Sequence, residues 1–126
     1  MNRLLDVSTL IALLFKRHVH HKDANKWLEG VRPVLCPISE LGWLRVATHP
    51  SINLTMEDAL RTLRDFAKGA EFISCDLSAL DADESPSSAK TTDWYLASLA
   101  KRHGMKWATF DTKSNHPNAE LIPVSG

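Results

Sequence analysis

Residues 3–15 read Arg3-Leu4-Leu5-Asp6-Val7-Ser8-Thr9-Leu10-Ile11-Ala12-Leu13-Leu14-Phe15. The apolar stretch that ends at Asp6 is too short for a helix and reads as a strand, Arg3 to Asp6. The run from Thr9 to Phe15, opened by Ser8, is apolar nearly all round and reads as a buried helix. Short apolar stretches and longer segments of helical period go on alternating to the end of the chain. That alternation is the pattern of an α/β fold with a mainly parallel sheet of about five strands.

Working outward, the further strands are expected at Val34 to Cys36, Glu71 to Ile73, Trp107 to Phe110 and Leu121 to Val124, with five or six helices between them. Thr55 caps the clearest helix, which carries Glu57 and Asp58 in its first turn and an apolar stripe of Met56, Ala59, Leu60, Leu63, Phe66 and Ala67 before Gly69. Thr92 opens another, with Asp93 in its first turn, Leu96, Leu99 and Ala100 at helical spacing, and Gly104 as terminator. Ser39 caps a helix that runs through Thr48 and ends before Pro50, and Ala24, Trp27 and Leu28 mark a shorter one closed by Gly30. The stretch from Asp76 to Lys90 is irregular and reads as a loop, or as a short helix followed by a loop, and a cover for the site is one role open to it.

A chain of 126 residues is of the size that folds around one core, so residues 1–126 are expected to form a single domain. Hydrophobic residues at 44% and charged residues at 24% match an ordinary globular protein and exclude a disordered one. The run Val7 to Phe15 is shorter than a membrane span and lacks the cleavage site of a signal peptide, so a cytoplasmic protein is expected, without membrane attachment. Cys36 and Cys75 have no metal-binding spacing and read as reduced thiols. Fifteen Lys and Arg balance fifteen Asp and Glu, so no global positive field announces a nucleic-acid binder and any RNA must be held by local patches.

Ligands of open parallel sheets bind beyond the carboxyl ends of the strands, and four acids fall there. Asp6 closes the first strand, Glu40 starts the helix after the second, Asp93 opens the late helix, and Asp111 follows Trp107 to Phe110. Taken singly, each also reads as a turn former or a favourable helix N-terminal charge. Taken together, four clustered carboxylates repel one another unless a cation neutralises them. Oxygen ligation favours Mg²⁺, with Mn²⁺ as substitute, and a metal held this way is equipment for phosphodiester hydrolysis.

These residues resemble the PIN-domain ribonucleases, and among them the VapC-type toxins of prokaryotic type II toxin–antitoxin pairs. Leu4-Leu5-Asp6-Val7-Ser8 is similar to the family's opening motif, and His18-Val19-His20-His21 leading to Ala24 and Trp27-Leu28 resembles the next helix. Cys36-Pro37-Ile38-Ser39-Glu40-Leu41-Gly42-Trp43-Leu44-Arg45 resembles the segment bearing the second acid. Thr92-Asp93-Trp94-Tyr95-Leu96 and Ala108-Thr109-Phe110-Asp111 resemble those bearing the third and fourth. The resemblance implies a three-layer α/β/α sandwich, divalent-metal-dependent endonucleolytic cleavage of RNA, a homodimer, and inhibition by a VapB-type antitoxin. It implies that Asp6, Glu40, Asp93 and Asp111 are the catalytic and metal-binding acids.

By the same analogy Ser8 and Thr109 support the site through a metal-bound water or a neighbouring carboxylate; a helix cap and a strand hydroxyl are the plainer readings. Lys16, Arg17, His18, His20, His21 and Lys22 form a local basic run that reads either as a contact for RNA phosphates or as a solvated helix connection, and Arg45 either pairs with a site acid or binds RNA. Trp43 and Trp94 read as core residues or as platforms for bases. Two rival functions stand beside the nuclease. One is a PIN-like RNA-binding or scaffold protein that does not cleave. The other is a receiver-like signalling domain, disfavoured because only one acid follows the first strand and no lysine follows the last.

Overall fold

The first apolar run forms the central strand of the sheet in the computed structural model, which describes residues 1–125. Strand β1 (Asn2–Leu5) is followed by helices α1 (Val7–Leu14) and α2 (His21–Leu28), strand β2 (Arg32–Leu35), helices α3 (Pro37–Ala47) and α4 (Met56–Ala67), and a short strand β3 (Glu71–Phe72). A 3₁₀ turn (Ser88–Lys90) then runs directly into α5 (Thr91–Arg102), followed by β4 (Lys106–Thr109) and β5 (Ala119–Leu121). All five strands are parallel, in the order β3-β2-β1-β4-β5.

Alternation along β1 separates two cores, because successive strand residues face opposite sides of the sheet. Leu4 lies beside Val34 and Trp107 in register, and all three pack against Leu96, Leu99 and Ala100 of α5. Leu5 faces the other way, into a core with Leu10, Leu13, Leu35, Trp43, Ala59 and Leu63 from α1, α3 and α4. Helices therefore cover both faces, and the three-layer sandwich expected from the sequence is found. Among the described residues, no helix is long and apolar enough to cross a membrane.

Helix α1 is held tightly because its neighbours admit it closely. Thr9 Oγ1 donates to the Ala108 carbonyl at 2.9 Å. A Cβ at Gly42 would stand 2.5 Å from a Val7 methyl carbon, so the glycine lets α3 approach the start of α1. Gly104, with φ of +73°, takes the left-handed conformation that ends α5.

Several helix starts differ from expectation. Helix α1 begins at Val7, with Asp6 rather than Ser8 in the N-cap position, and α3 begins at Pro37 after Cys36. Pro at the first helical position needs no donor, and the hydroxyl of Ser39, two residues on, is used in the core instead. The 3₁₀ turn continues into α5, so Thr92 lies inside the helix rather than capping it. Strand β5 pairs from Ala119, earlier than the apolar run Leu121 to Val124 implied.

Candidate active site

In this strand order the chain leaves β1 for β2 on one side and returns to β4 on the other, which makes the β1/β4 edge the switch point where a crevice opens. Asp6 extends β1 over that edge: its backbone N–H donates to the Ala108 carbonyl at 3.0 Å. Its side chain does not cap α1. Instead Oδ2 accepts hydrogen bonds from Ser8 Oγ at 2.8 Å and Thr109 Oγ1 at 2.7 Å. Both residues expected to support the site therefore bond a carboxylate.

Asp111 lies two residues beyond the end of β4 and is anchored through the same threonine, since its N–H donates to Thr109 Oγ1 at 3.0 Å. Its own Oδ1 accepts from the Lys113 N–H at 2.9 Å. Asp93 reaches the site from the first turn of α5. The adjoining 3₁₀ turn is tied to the loop after Asp111 by Lys90 Nζ, which donates to the Lys113 carbonyl at 2.7 Å. Asp6, Asp93 and Asp111 line one cleft of about 580 Å³ with Ser8, His18, Val19, His20 and Phe110.

The electrostatics of this cleft are those of crowded anions. Burial raises the Asp6 carboxyl above its usual range, the Thr109 and Ser8 hydroxyls and the Val7 N–H oppose that rise, and Asp111 adds to it. Asp93 is pushed up to about 6, first by burial and then by Asp6 and Asp111, with Lys90 opposing. A carboxyl held so high next to two others is costly to ionise without a compensating charge.

Glu40 does not join them. It lines a separate groove between α3 and α4 with Pro37, Leu41, Leu44, Leu60, Leu63, Arg64 and Ala67, and burial alone raises its carboxyl. The reason lies one residue earlier: Ser39 points inward, donating from Oγ to the Leu5 carbonyl at 2.7 Å, and each helical step turns the next side chain by about 100°. The expected four-acid cluster is thus a three-aspartate cleft with its glutamate on another face of α3.

The basic run divides. His20 lies in the cleft, whereas His21 donates from Nδ1 to the Ala12 carbonyl at 2.8 Å and so satisfies the end of α1. Arg17 and Lys22 are exposed outside the cleft. Arg45 is exposed along a neighbouring groove with Val7, Ile38, Leu41, Gly42, Val46 and Thr92, without an acidic partner among the described residues.

Trp43 offers no platform for a base, being fully buried with its Nε1–H donating to the Ala59 carbonyl at 3.0 Å, whereas Trp94 is half-buried and meets His116 edge-on. No residue of the segment Asp76 to Lys90 lines the cleft; most of it is tied to α5 and to His116, and Lys90 at its end to the loop after Asp111. The Tyr95 hydroxyl donates to the Leu77 carbonyl at 2.7 Å, the Asp83 N–H to Ser98 Oγ at 3.0 Å, and His116 Nε2 lies 2.8 Å from Asp83 Oδ2. Phe110 in the cleft escaped the sequence reading, because an aromatic residue at a strand end carries no signal separating core from site.

Comparison with known proteins bears on the whole of this architecture. The PIN domain family model matches residues 3–118. Ribonuclease VapC38 of Mycobacterium tuberculosis is 34% identical, over 86% of this chain and 84% of its own length. Ribonuclease VapC44 from the same species is 35% identical, over 88% and 87%, and Ribonuclease VapC39 is 32% identical, over 98% and 99%. Among solved structures, a chain of the crystal structure of VapBC2 from Rickettsia felis bound to a DNA fragment from their promoter superposes with a TM-score of 0.66. The match covers 96% of this chain and 97% of that one at 15% sequence identity, a likeness of fold.

Proposed function

The chain belongs to the PIN-domain family, and from that premise we infer that it is the toxin of a type II toxin–antitoxin pair, an endoribonuclease that hydrolyses RNA phosphodiester bonds. The observation that carries the reading is the convergence of Asp6, Asp93 and Asp111 on one cleft at the β1/β4 edge, with Asp93 pushed up to about 6. Carboxylates so placed call for a divalent cation, and the donor set is all oxygen, which fits Mg²⁺ or Mn²⁺. Among the described residues no group of three or more acidic, histidine or cysteine side chains is already arranged to hold a metal ion, so the three aspartates would have to close on a cation as it binds.

Asp6, Asp93 and Asp111 would hold the ion. Bound there, it would supply charge neutralisation for the phosphate and a water of lowered pKa. The chain's own part is positional. The hydroxyls of Ser8 and Thr109 fix Asp6 through one oxygen, and the Lys113 N–H fixes Asp111 through one oxygen, while each carboxylate retains further lone pairs for the ion or its waters. Asp93 comes to the same cleft from α5, in the helical layer next to the strand ends that carry Asp6 and Asp111. Glu40 is left out of this assignment.

The regulator would be a VapB-type antitoxin whose Arg or Lys replaces the metal's charge among the carboxylates, because guanidinium binds carboxylate bidentately. The working form would be a homodimer in the cytoplasm. The test is incubation of purified protein with cellular RNA and Mg²⁺ beside an EDTA control and the Asp93→Asn variant. Cleavage confined to the first sample supports the reading. RNA bound but uncut under all three conditions would instead favour a non-cleaving PIN-like RNA-binding protein, the alternative to which Glu40's position outside the cleft points.

A further inference from the structure

One wall of the cleft carries no acid. It consists of Phe110, His20, His18 and Val19. The Phe110 and His20 rings lie stacked, with centroids 4.9 Å apart and planes 12° from parallel, and His18 continues the row at 5.7 Å and 47°. Phe110 immediately precedes Asp111, so the aromatic row is fixed next to the acids. The turn between α1 and α2 is braced by the His20 N–H, which donates to His18 Nδ1 at 3.0 Å. Nδ1 is thereby an acceptor, and the neutral ring must carry its proton on Nε2, a donor without a partner among the described residues. Burial and the neighbouring His20 and His21 lower the His18 pKa, which favours the neutral ring.

These are the features of a site for a planar, uncharged, hydrogen-bonding group rather than for a phosphate. Unstacked bases of single-stranded RNA are recognised by stacking on His and Phe rings and by hydrogen bonds to their edges. A cleft of about 580 Å³ is in the range of sites for small ligands, enough for a base beside the phosphate. We propose that the row of Phe110, His20 and His18 is a nucleobase-binding site that stacks the base flanking the scissile phosphate, with His18 Nε2–H as the donor to that base. The proposal rests on the ribonuclease reading and adds the part of the substrate that selects where the chain is cut.

Two measurements test it. In the first, the four nucleoside 5′-monophosphates are titrated with Mg²⁺ into the protein, and ring-proton shifts of His20 and Phe110 are followed by NMR, with inorganic phosphate as comparison. Upfield ring-current shifts with at least one nucleotide and none with phosphate are expected. Shifts that phosphate reproduces, or that no nucleotide produces, overturn the proposal. In the second, cleavage of single-stranded RNA is measured for His20→Ala and His20→Tyr. Loss of one stacked base corresponds to roughly 5- to 150-fold in affinity, so His20→Ala should raise KM about tenfold with kcat within about twofold, and His20→Tyr should restore KM. A parent that cleaves while His20→Ala leaves KM unchanged, or a His20→Tyr variant as impaired as His20→Ala, sinks the stacking site and leaves the nuclease standing. A parent that cleaves no RNA sinks the nuclease, and the NMR titration then decides the base site alone.

Discussion

Thr109 joins two acids that lie far apart in the chain: its hydroxyl donates to Asp6 and accepts from the Asp111 N–H. Thr109→Val keeps the shape and removes both bonds inside a fully buried position. It should lower stability by about 1–3 kcal/mol, the usual cost of leaving a buried polar group without its partner, as read by urea denaturation, and Thr109→Ser should recover most of that loss. Asp93 gives the pH dependence. Its value of about 6, against 3.8 ordinarily, means that the folded chain binds this proton more tightly than the unfolded chain. Ionised Asp93 therefore opposes folding; the opposition is complete above about pH 6 and is relieved as pH falls towards about 4. Metal-free protein should gain thermal stability from this group between about pH 7 and pH 5, and Asp93→Asn should abolish that gain in a paired melting series. Metal binding has the opposite sign, since the proton competes for the same carboxylate: the apparent Mg²⁺ affinity measured by calorimetry should fall as pH drops through about 6.

At the scale of elements, α3 is the revealing helix. Gly42→Ala would drive a methyl group into Val7, and overpacking of this kind costs about 1–3 kcal/mol; Val7→Ala in the same chain should return part of the loss in Tm. Glu40→Gln should leave RNA cleavage within about twofold of the parent, because Glu40 lines the groove between α3 and α4 and not the cleft. Cleavage as low as that of Asp93→Asn would show that α3 turns its acid into the cleft when RNA is bound. Much of this was legible beforehand. Asp6 and Asp111 end strands, and position relative to a strand end is what sequence patterning reports well, while Asp93 sits in the first turn of a strongly patterned helix. The face on which Glu40 lies was not legible, because a one-residue difference in phase turns a helix by about 100° and that phase depends on Ser39 being taken into the core. The aromatic wall was hidden for a related reason: Phe110 and His20 come from separate segments whose meeting only the packing of α1 against β4 decides.

Across the whole molecule, opposite charges cancel, and the cleft itself is anionic. RNA binding should therefore depend only weakly on salt: few phosphates can be neutralised by side chains, and a log–log slope of KM against salt of magnitude below about 2 is expected from counterion release. A steep slope would mean that the exposed Arg17, Lys22 and Arg45 act together as a phosphate track. The order of the sheet has a consequence for timing. Strand β1 is made first, yet its partner on the β4 side lies about a hundred residues later, as the register of Leu4 with Trp107 shows. A growing chain can pair β1 with β2 early, but the crevice has only one bank until β4 and Asp111 leave the ribosome. A partial chain that stops short of β4 can therefore place only Asp6 and Asp93 near each other, and the three-aspartate cleft cannot assemble until Asp111 has been synthesised.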